Sequence, residues 1–287
     1  MLVQWSSFID RIREFFKEKG YLEVHTPILL PYPNLDPNVD PIEVKLMECG
    51  KEIRGWLQTS PEFSMKKILA KYKRDIFQIA KVFRDKECGR LHRKEFTMLE
   101  WYKINADYHH LIEEIGKLLS LLGISQDYTI TRLEHAFEEY AGIILSEDEE
   151  VFKNNLLAYG YDFDDREGWE SLFFKIYIEV ERHLGKEKPQ FITHFPKRLR
   201  AYAKVRDGYA ERFELYIKGV EIANGWTEEE SQEEIRRRTE EYAKNLPLDE
   251  ELLKAYEDFP PCAGCSIGLE RLFMVYMGLE NLQELYF

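Results

Sequence analysis

Glu95-Phe96-Thr97-Met98-Leu99-Glu100-Trp101-Tyr102 is the stretch whose reading decides the fold. Apolar and polar residues alternate along it, as in a β-strand whose successive side chains point to opposite faces. Phe96, Met98, Glu100 and Tyr102 fall on one face, and a carboxylate and a phenol beside apolar groups predict an acidic, partly dry pocket. For one glutamate alone, a half-buried strand with Glu100 turned to solvent is the simpler reading. Other parts of the chain add more of the same chemistry.

Just upstream, Asp75 to Phe83 forms a second strand-like run, and the intervening polar loop, Asp85 to Lys94, holds seven charged residues or histidines. The spacing predicts a long-looped hairpin. Further upstream, Trp56 to Gln58 reads as a strand end and Ser60-Pro61-Glu62 as a helix start, with Ser60 at the N-cap and Pro61 at N1. Before that, Ser6 and Ser7 precede the helical stripe Phe8, Ile9, Ile12, Phe15 and Phe16, which stops at Gly20. A short extended stretch from Tyr21 to Leu30, broken by Pro27, leads into the loop from Pro31 to Pro41.

Downstream, residues from Asp107 to about Leu184 read as mainly helical and acidic. Sheet signals return at Gln190 to His194 and Ala210 to Ile222, a charged helix is expected from Glu228 to Lys244, and Cys262 to Met277 reads as a small-residue strand entering a helix. Strands in antiparallel pairs with helices segregated around them argue for the α+β class. The expected organisation is one domain over residues 1–287 with a mainly helical insertion at about 107–184.

Within Arg212 to Glu228, Glu214, Glu221 and Glu228 add three carboxylates, suited to Mg²⁺ or to a cationic substrate. Glu221 and Glu228 have opposite strand parity, so they converge only if the chain bends between them, and Asn224-Gly225 is the turn or bulge signal there. Scattered surface acids are the bland alternative. Arg84, at the entry to the hairpin loop, and Arg271, after Gly264, Ser266 and Gly268, supply positive charge suited to phosphate.

The chain of 287 residues carries 53 acidic and 40 basic residues, a formal net charge of -13, which disfavours a nucleic-acid backbone as partner. Four cysteines, Cys49, Cys88, Cys262 and Cys265, are too few and too unevenly spaced for a disulfide framework, and a reducing cytoplasm fits best. Cys262-x-x-Cys265 has no second pair at zinc spacing, and His109-His110 has no partner motif, so packing or surface roles are expected for both. No apolar run approaches membrane-spanning length. The usual glycine-rich P-loop and dinucleotide fingerprints are missing.

Taken together, these strings resemble the three motifs of class II aminoacyl-tRNA synthetases. The opening helix and the strand ending at Pro27 resemble motif 1, Val82 through Glu87 with Glu95 through Glu100 resemble motif 2, and Gly264 through Arg271 resemble motif 3. Glu-Phe-Thr-Met-Leu-Glu and Glu-Ile-Ala-Asn-Gly point to the lysyl branch. Thr59-Ser60-Pro61-Glu62, Gly89-Arg90-Leu91-His92 and His194-Phe195-Pro196-Lys197 are similar to the bacterial lysyl-tRNA synthetase paralogues that modify elongation factor P.

The resemblance implies ATP and Mg²⁺ as cofactors and an adenylate of lysine or β-lysine. By similarity, Arg84 meets the α-phosphate, Arg271 the γ-phosphate, Phe96 stacks on adenine with His92 nearby, Gly268 leaves room for the nucleotide, and Glu214 and Glu221 hold the metal. Lys86 stands where relatives carry the glutamate that reads adenine, so Glu87 takes that role if the loop shifts. Glu100, Tyr102 and Glu228 match the groups that receive the side-chain ammonium, and Ser60, Glu62, Asn224 and Trp226 line the same pocket. Trp226 replaces a phenylalanine, and Ser266 stands where relatives carry glycine or alanine, which leaves α-lysine against β-lysine open.

The chain starts almost at motif 1, so no anticodon-binding barrel and no tRNA acceptor are expected; elongation factor P is the expected protein acceptor, and the motif 1 resemblance implies a homodimer. The alternatives are a ligase acting on a small amine, like an asparagine synthetase, and a non-catalytic regulatory subunit.

Overall fold

The computed structural model describes residues 1–164 and 166–285. Helix α1 (Leu2–Glu18) packs Phe8, Ile12, Phe15 and Phe16 inward. It starts four residues before Ser6, so Ser6 and Ser7 are interior, solvent-facing helix positions and not its cap. The extended stretch that follows divides between two sheets: β1 (Leu22–Glu23) joins the main sheet and β2 (Leu29–Leu30) joins a small one. That small sheet is completed by a hairpin absent from the sequence reading, β3 (Ile42–Glu48) and β4 (Lys51–Leu57), which turns at Cys49-Gly50, both at positive φ.

Helix α2 (Glu62–Tyr72) begins one residue beyond the expected N1 proline, with Glu62 N donating to Ser60 Oγ at 3.4 Å, and ends at Lys73 in the left-handed region. The hairpin of β5 (Ile76–Phe83) and β6 (Glu95–Ile104) forms as expected and pairs in register from Ile76–Tyr102 to Phe83–Glu95. Between β6 and β8 lie α3 (Tyr108–Leu122), β7 (Thr129–Arg132), α4 (Leu133–Ala141), α5 (Glu149–Ala158) and α6 (Trp169–Glu181). Asp107 and His110 form the capping box of α3, which gives that histidine a structural role.

Strand β8 (Gln190–Pro196) pairs in parallel with β7 and antiparallel with β10 (Tyr209–Ile217). The short β9 (Val205–Arg206) flanks β10. The single sheet signal at Ala210 to Ile222 resolves into two strands, β10 and β11 (Val220–Thr227), joined at Lys218-Gly219. Glu228 follows this strand directly, bridged to Ala203, and does not begin a helix: α7 (Gln232–Ala243) starts four residues later, capped by Ser231. Helix α8 (Glu250–Ala255), strand β12 (Cys262–Gly268) and helix α9 (Leu269–Met277) complete the elements.

Among the described residues the main sheet has nine strands, in the order β1-β5-β6-β12-β11-β10-β8-β7 with β9 beside β10. Its pairs are antiparallel except at the two edges, β1 with β5 and β7 with β8. One face is covered completely. Leu99 and Trp101 of β6, Phe213 and Leu215 of β10, and Cys265 and Ile267 of β12 join α1, α3 and α9 in the largest core. Loss of a buried indole such as Trp101 costs ~3–5 kcal/mol.

The opposite face is covered only at its two ends. A core of α4, α5 and α6 closes one end and a core built on α2, α7 and α8 the other. The central strands β6, β12, β11 and β10 are left to face a cleft. Cys262 and Cys265 both remain free and buried, in cores on opposite faces of the sheet, as three residues of separation on a strand require. Among the described residues, no helix is long and apolar enough to cross a membrane.

Candidate functional site

The register of the central strands lines up the polar residues singled out in the sequence. Gln78 of β5 pairs with Glu100 of β6, Glu100 with Ser266 of β12, Ser266 with Asn224 of β11, and Asn224 with Glu214 of β10. This row runs across five strands on the uncovered face. One row away stand Tyr102, Gly264 and Trp226, and on the other side Met98 and Gly268.

Glu221 reaches this face through a β-bulge. Leu215 pairs with Ala223 but Tyr216 pairs with Glu221, so Ile222 is an extra residue on β11. The bulge lies there and not at Asn224-Gly225, which is continuous strand. Gly225 is needed for a different reason: a Cβ would sit 2.8 Å from both Cys265 Cβ and Phe213 Cζ.

At the inner end of the row is a closed acidic pocket. Helix α2 brings Glu62 and Lys66, one turn apart, beneath it. Lys66 Nζ lies 2.6 Å from Glu62 Oε1 and 2.7 Å from Glu228 Oε2, and all three side chains are buried. Tyr102 donates its hydroxyl to Glu100 Oε1 at 2.7 Å. Glu228 is held by its backbone, which donates to Cys262 O at 2.9 Å.

Burial pushes the Glu228 carboxyl up to about 7, although Lys66 pulls it down. Burial and the neighbouring Glu62 raise Glu100 well above the usual carboxylate range. The same two causes raise Asp36, at the rim, to about 7. Burial disfavours the Lys66 ammonium, but Glu228 and Glu62 outweigh it and hold its pKa well above the usual lysine value. Carboxylates raised this way ionise readily only when a cation joins them.

The outer part of the row opens into a cleft of about 270 Å³ whose lining includes Arg84, Glu87, His92, Phe96, Glu221, Asn224, Ser266, Gly268 and Arg271. Arg84 lies over the Phe96 ring at 5.2 Å and donates Nε to Thr59 O at 3.3 Å. Arg271 donates Nε to Leu91 O at 3.0 Å and Nη1 to Glu221 O at 3.1 Å, which ties the hairpin loop to β11. Burial, then Arg271, lowers the pKa of His92. Two guanidinium groups therefore line a cleft that also contains Gly268, with Arg271 in direct contact with Glu221 at 3.3 Å.

Glu214 sits beside the cleft without lining it. Its Oε1 accepts from Arg212 Nη2 at 2.5 Å, and its Oε2 accepts from Tyr177 at 2.8 Å and Tyr216 at 2.7 Å. Burial raises its pKa, Arg212 opposes, and Glu221 adds to the rise. Behind it, burial pushes Glu181 up to about 7, and its Oε1, 2.7 Å from the same Tyr216 hydroxyl, competes with Glu214 for that group's one proton.

The expected residues thus fall into two groups on one face. Arg84, Glu87, His92, Phe96, Glu221, Gly268 and Arg271 line the open cleft, while Glu62, Glu100, Tyr102 and Glu228 form the closed pocket with Ser60 and Trp226 at its side. Asn224 and Ser266 stand at the junction. Sequence reading missed Lys66, Asp36, Gln78 and Arg212. Lys66 carried a usable signal, because it is one helical turn after Glu62 on an otherwise apolar face. Leu282 was also missed; it lines the cleft, and its backbone N donates to Arg90 O at 3.0 Å.

Comparison with known proteins matches residues 1–287 to the family described as tRNA synthetases class II (D, K and N). A relative from Aquifex aeolicus named elongation factor P–(R)-beta-lysine ligase homolog is 54% identical over 100% of this chain and 99% of its own length. Proteins named elongation factor P–(R)-beta-lysine ligase are 38% identical in Avibacterium paragallinarum and 36% identical in Haemophilus influenzae, each over 99% of this chain and 93% of the relative. With the antiparallel sheet and its one uncovered face, these matches identify the chain as a member of the class II aminoacyl-tRNA synthetase family of the aspartate, lysine and asparagine type.

Proposed function

We propose that this ATP-dependent ligase activates lysine or (R)-β-lysine as an acyl-adenylate and passes the acyl group to a lysine side chain of elongation factor P. The observation that carries the reading is the closed pocket of Glu62, Glu100, Tyr102 and Glu228 at the inner end of a cleft bearing Arg84 and Arg271. Such a pocket selects a cationic side chain, and such a cleft suits a triphosphate.

In this reading the substrate ammonium enters the pocket and its carboxylate is left facing Arg84. A carboxylate oxygen attacks the α-phosphorus, the bond to the bridging oxygen breaks, and pyrophosphate departs past Arg271. The acceptor amine then attacks the acyl carbon, an amide forms, and AMP leaves with the electron pair. The protein supplies position and charge, not a nucleophile.

Glu214 and Glu221 suit Mg²⁺ by their donor chemistry, since they offer hard oxygen ligands and Glu221 disfavours ionisation of Glu214 until a cation joins them. Among the described residues no group of three His, Cys, Asp or Glu forms a complete cage, so phosphate oxygens and water would fill the remaining positions. A bound ion would supply neutralisation of phosphate charge. Tyr177 and Tyr216 keep the Glu214 carboxylate oriented. Homodimerisation belongs to the same proposal; α1 leaves Leu2 and Val3 exposed on its outer side.

The test is intact-mass measurement of elongation factor P after incubation with the ligase, ATP, Mg²⁺ and lysine or β-lysine. A gain of one lysine residue, lost when the acceptor lysine is replaced, is the expected result. Gain on an added small amine but never on the factor favours the small-amine ligase. No ATP consumption with any acceptor favours a regulatory subunit.

A further inference from the structure

The acidic pocket already contains a cation. Lys66 is 1% exposed, and its ammonium bridges Glu62 Oε1 at 2.6 Å and Glu228 Oε2 at 2.7 Å. Two aromatic faces complete the box: Nζ is 5.1 Å from the Tyr202 ring centroid and 5.9 Å from that of Trp226. A lysine head this deep is rare unless it is paired, and here the partners are two of the three carboxylates assigned to the substrate.

The pairing is incomplete. Glu228 is 0% exposed, and neither of its carboxylate oxygens has a hydrogen-bond partner of good geometry: Oε2 is held by its ion pair with Lys66, the Trp226 indole N–H lies close by, and Oε1 has no charged partner. A buried, unpaired carboxylate oxygen carries a large desolvation cost, so a native structure keeps one where a ligand satisfies it. Its direction is fixed by Gly264, where a Cβ would stand 3.0 Å from Oε1 and 2.3 Å from the Tyr102 ring. That oxygen therefore lies at Gly264, beside the edge of the Tyr102 ring and not on the Lys66 ion pair.

We propose that Lys66 is a resident cation of the substrate pocket that positions Glu62 and Glu228 and sets substrate length, leaving Glu228 Oε1, Glu100 and Tyr102 to receive the incoming ammonium. The proposal rests on the activation of a lysine-type substrate argued above. Without Lys66, two buried carboxylates would face each other with no internal counter-charge, and Glu228 would take up a proton and lose the charge that holds the substrate. With a longer cation in its place, the free space would shorten by part of a side chain.

Two variants test this by amino-acid-dependent exchange of pyrophosphate into ATP, with lysine and its shorter homologue ornithine as probes. Lys66→Ala should lose at least about tenfold in kcat/KM for lysine, mostly through KM, as expected when one partner of a buried charge pair is truncated. Added methylammonium should restore part of the loss, and tetramethylammonium at the same concentration should not. Lys66→Arg keeps the charge and, in protein shown by thermal melting to fold, should shift the ornithine-to-lysine ratio towards ornithine at least about fivefold, a loss within the range of one misfitted methylene.

An unchanged ratio in Lys66→Arg, or equal restoration of Lys66→Ala by both ammonium ions, overturns the proposal. If Lys66→Ala does not fold, the Lys66→Arg ratio decides alone. Absence of lysine-dependent exchange in the unmodified chain is a separate result that strikes the underlying functional reading.

Discussion

Replacing Gly264 by alanine adds one methyl group where the substrate pocket is tightest. The new Cβ would lie 2.3 Å from Tyr102 Cε1, 2.6 Å from Cδ1 and 3.0 Å from Glu228 Oε1. Ordinary contact begins at 3.4 Å, so the ring must retreat by about 1 Å. Tyr102 is 2% exposed and packed among Ile76, Cys262 and Phe259, so it has no open space to enter. Retreat strains its 2.7 Å bond to Glu100 and pushes Glu228 aside. Such over-packing costs ~1–3 kcal/mol of stability, and a 1 Å misplacement at a binding group costs up to about 10²-fold in rate.

Gly264→Ala should therefore raise the KM for lysine by ~10–100-fold, while the KM for ATP stays within about twofold because Arg84, Phe96 and Arg271 lie in the other part of the site. Steady-state pyrophosphate exchange, varied in lysine and then in ATP, measures both. A lysine KM equal to that of the unmodified chain, in a variant that melts cooperatively, refutes the packing argument.

Other outcomes follow from the same geometry. Glu228→Gln keeps the shape but removes the charge, and should weaken lysine by about 10²-fold with little effect on ATP, measured by the same exchange. Arg271→Ala should raise the ATP KM and lower kcat by about 10²-fold, because it removes a phosphate-facing charge and both ties between the hairpin loop and β11. Tyr216→Phe should increase the Mg²⁺ concentration needed for half-maximal exchange, as Glu214 loses a 2.7 Å donor that orients it; an unchanged requirement would remove Glu214 from the metal site.

Asp36, Glu181 and Glu228 have folded pKa values raised to about 7, above those of the unfolded chain. Such groups stabilise the fold at low pH and lose that contribution as pH rises through about 7. The ligand-free melting temperature should fall between about pH 5 and 7 and level off above, whereas lysine affinity should rise as Glu228 ionises towards pH 7. A thermal-shift series with and without lysine checks both signs.

How much could be read from the chain depends on which face each residue meets. Strand β6 was legible because its two faces differ sharply: Leu99 and Trp101 enter the main core, whereas Glu100 and Tyr102 line the pocket. The class and the motif order followed from such strings. In the β3–β4 hairpin Ile42-Glu43-Val44-Lys45-Leu46 does alternate apolar and charged residues with matching burial, a signal the sequence reading passed over, whereas the exposed first half of β4, Lys51 to Arg54, carries little. Strand β7 is four half-exposed residues made regular only by parallel pairing with β8.

At the site, the need for a bend between Glu221 and Glu228 was legible, but its position was not. Asn-Gly is a turn signal in isolation, whereas here tertiary pairing keeps Asn224 in the row and puts the bulge at Ile222. The expected helix start at Glu228 failed for a related reason: three acids in sequence look like a first turn, but the first of them is fixed just after β11 by its bond to Cys262. Lys66 could be placed on the right face of α2 from spacing, but that it lies between two glutamates emerges only when β11 is brought over the helix.

The claim that most depends on this structure is that the closed pocket selects a cationic amino acid for reaction with ATP. Pyrophosphate exchange with the unmodified chain and Mg²⁺, run across lysine, β-lysine, ornithine, norleucine, aspartate and asparagine, measures that selection directly. The account predicts exchange with lysine or β-lysine, weaker exchange with ornithine and none with norleucine or aspartate. Exchange driven by aspartate, or equally by norleucine and lysine, would contradict it.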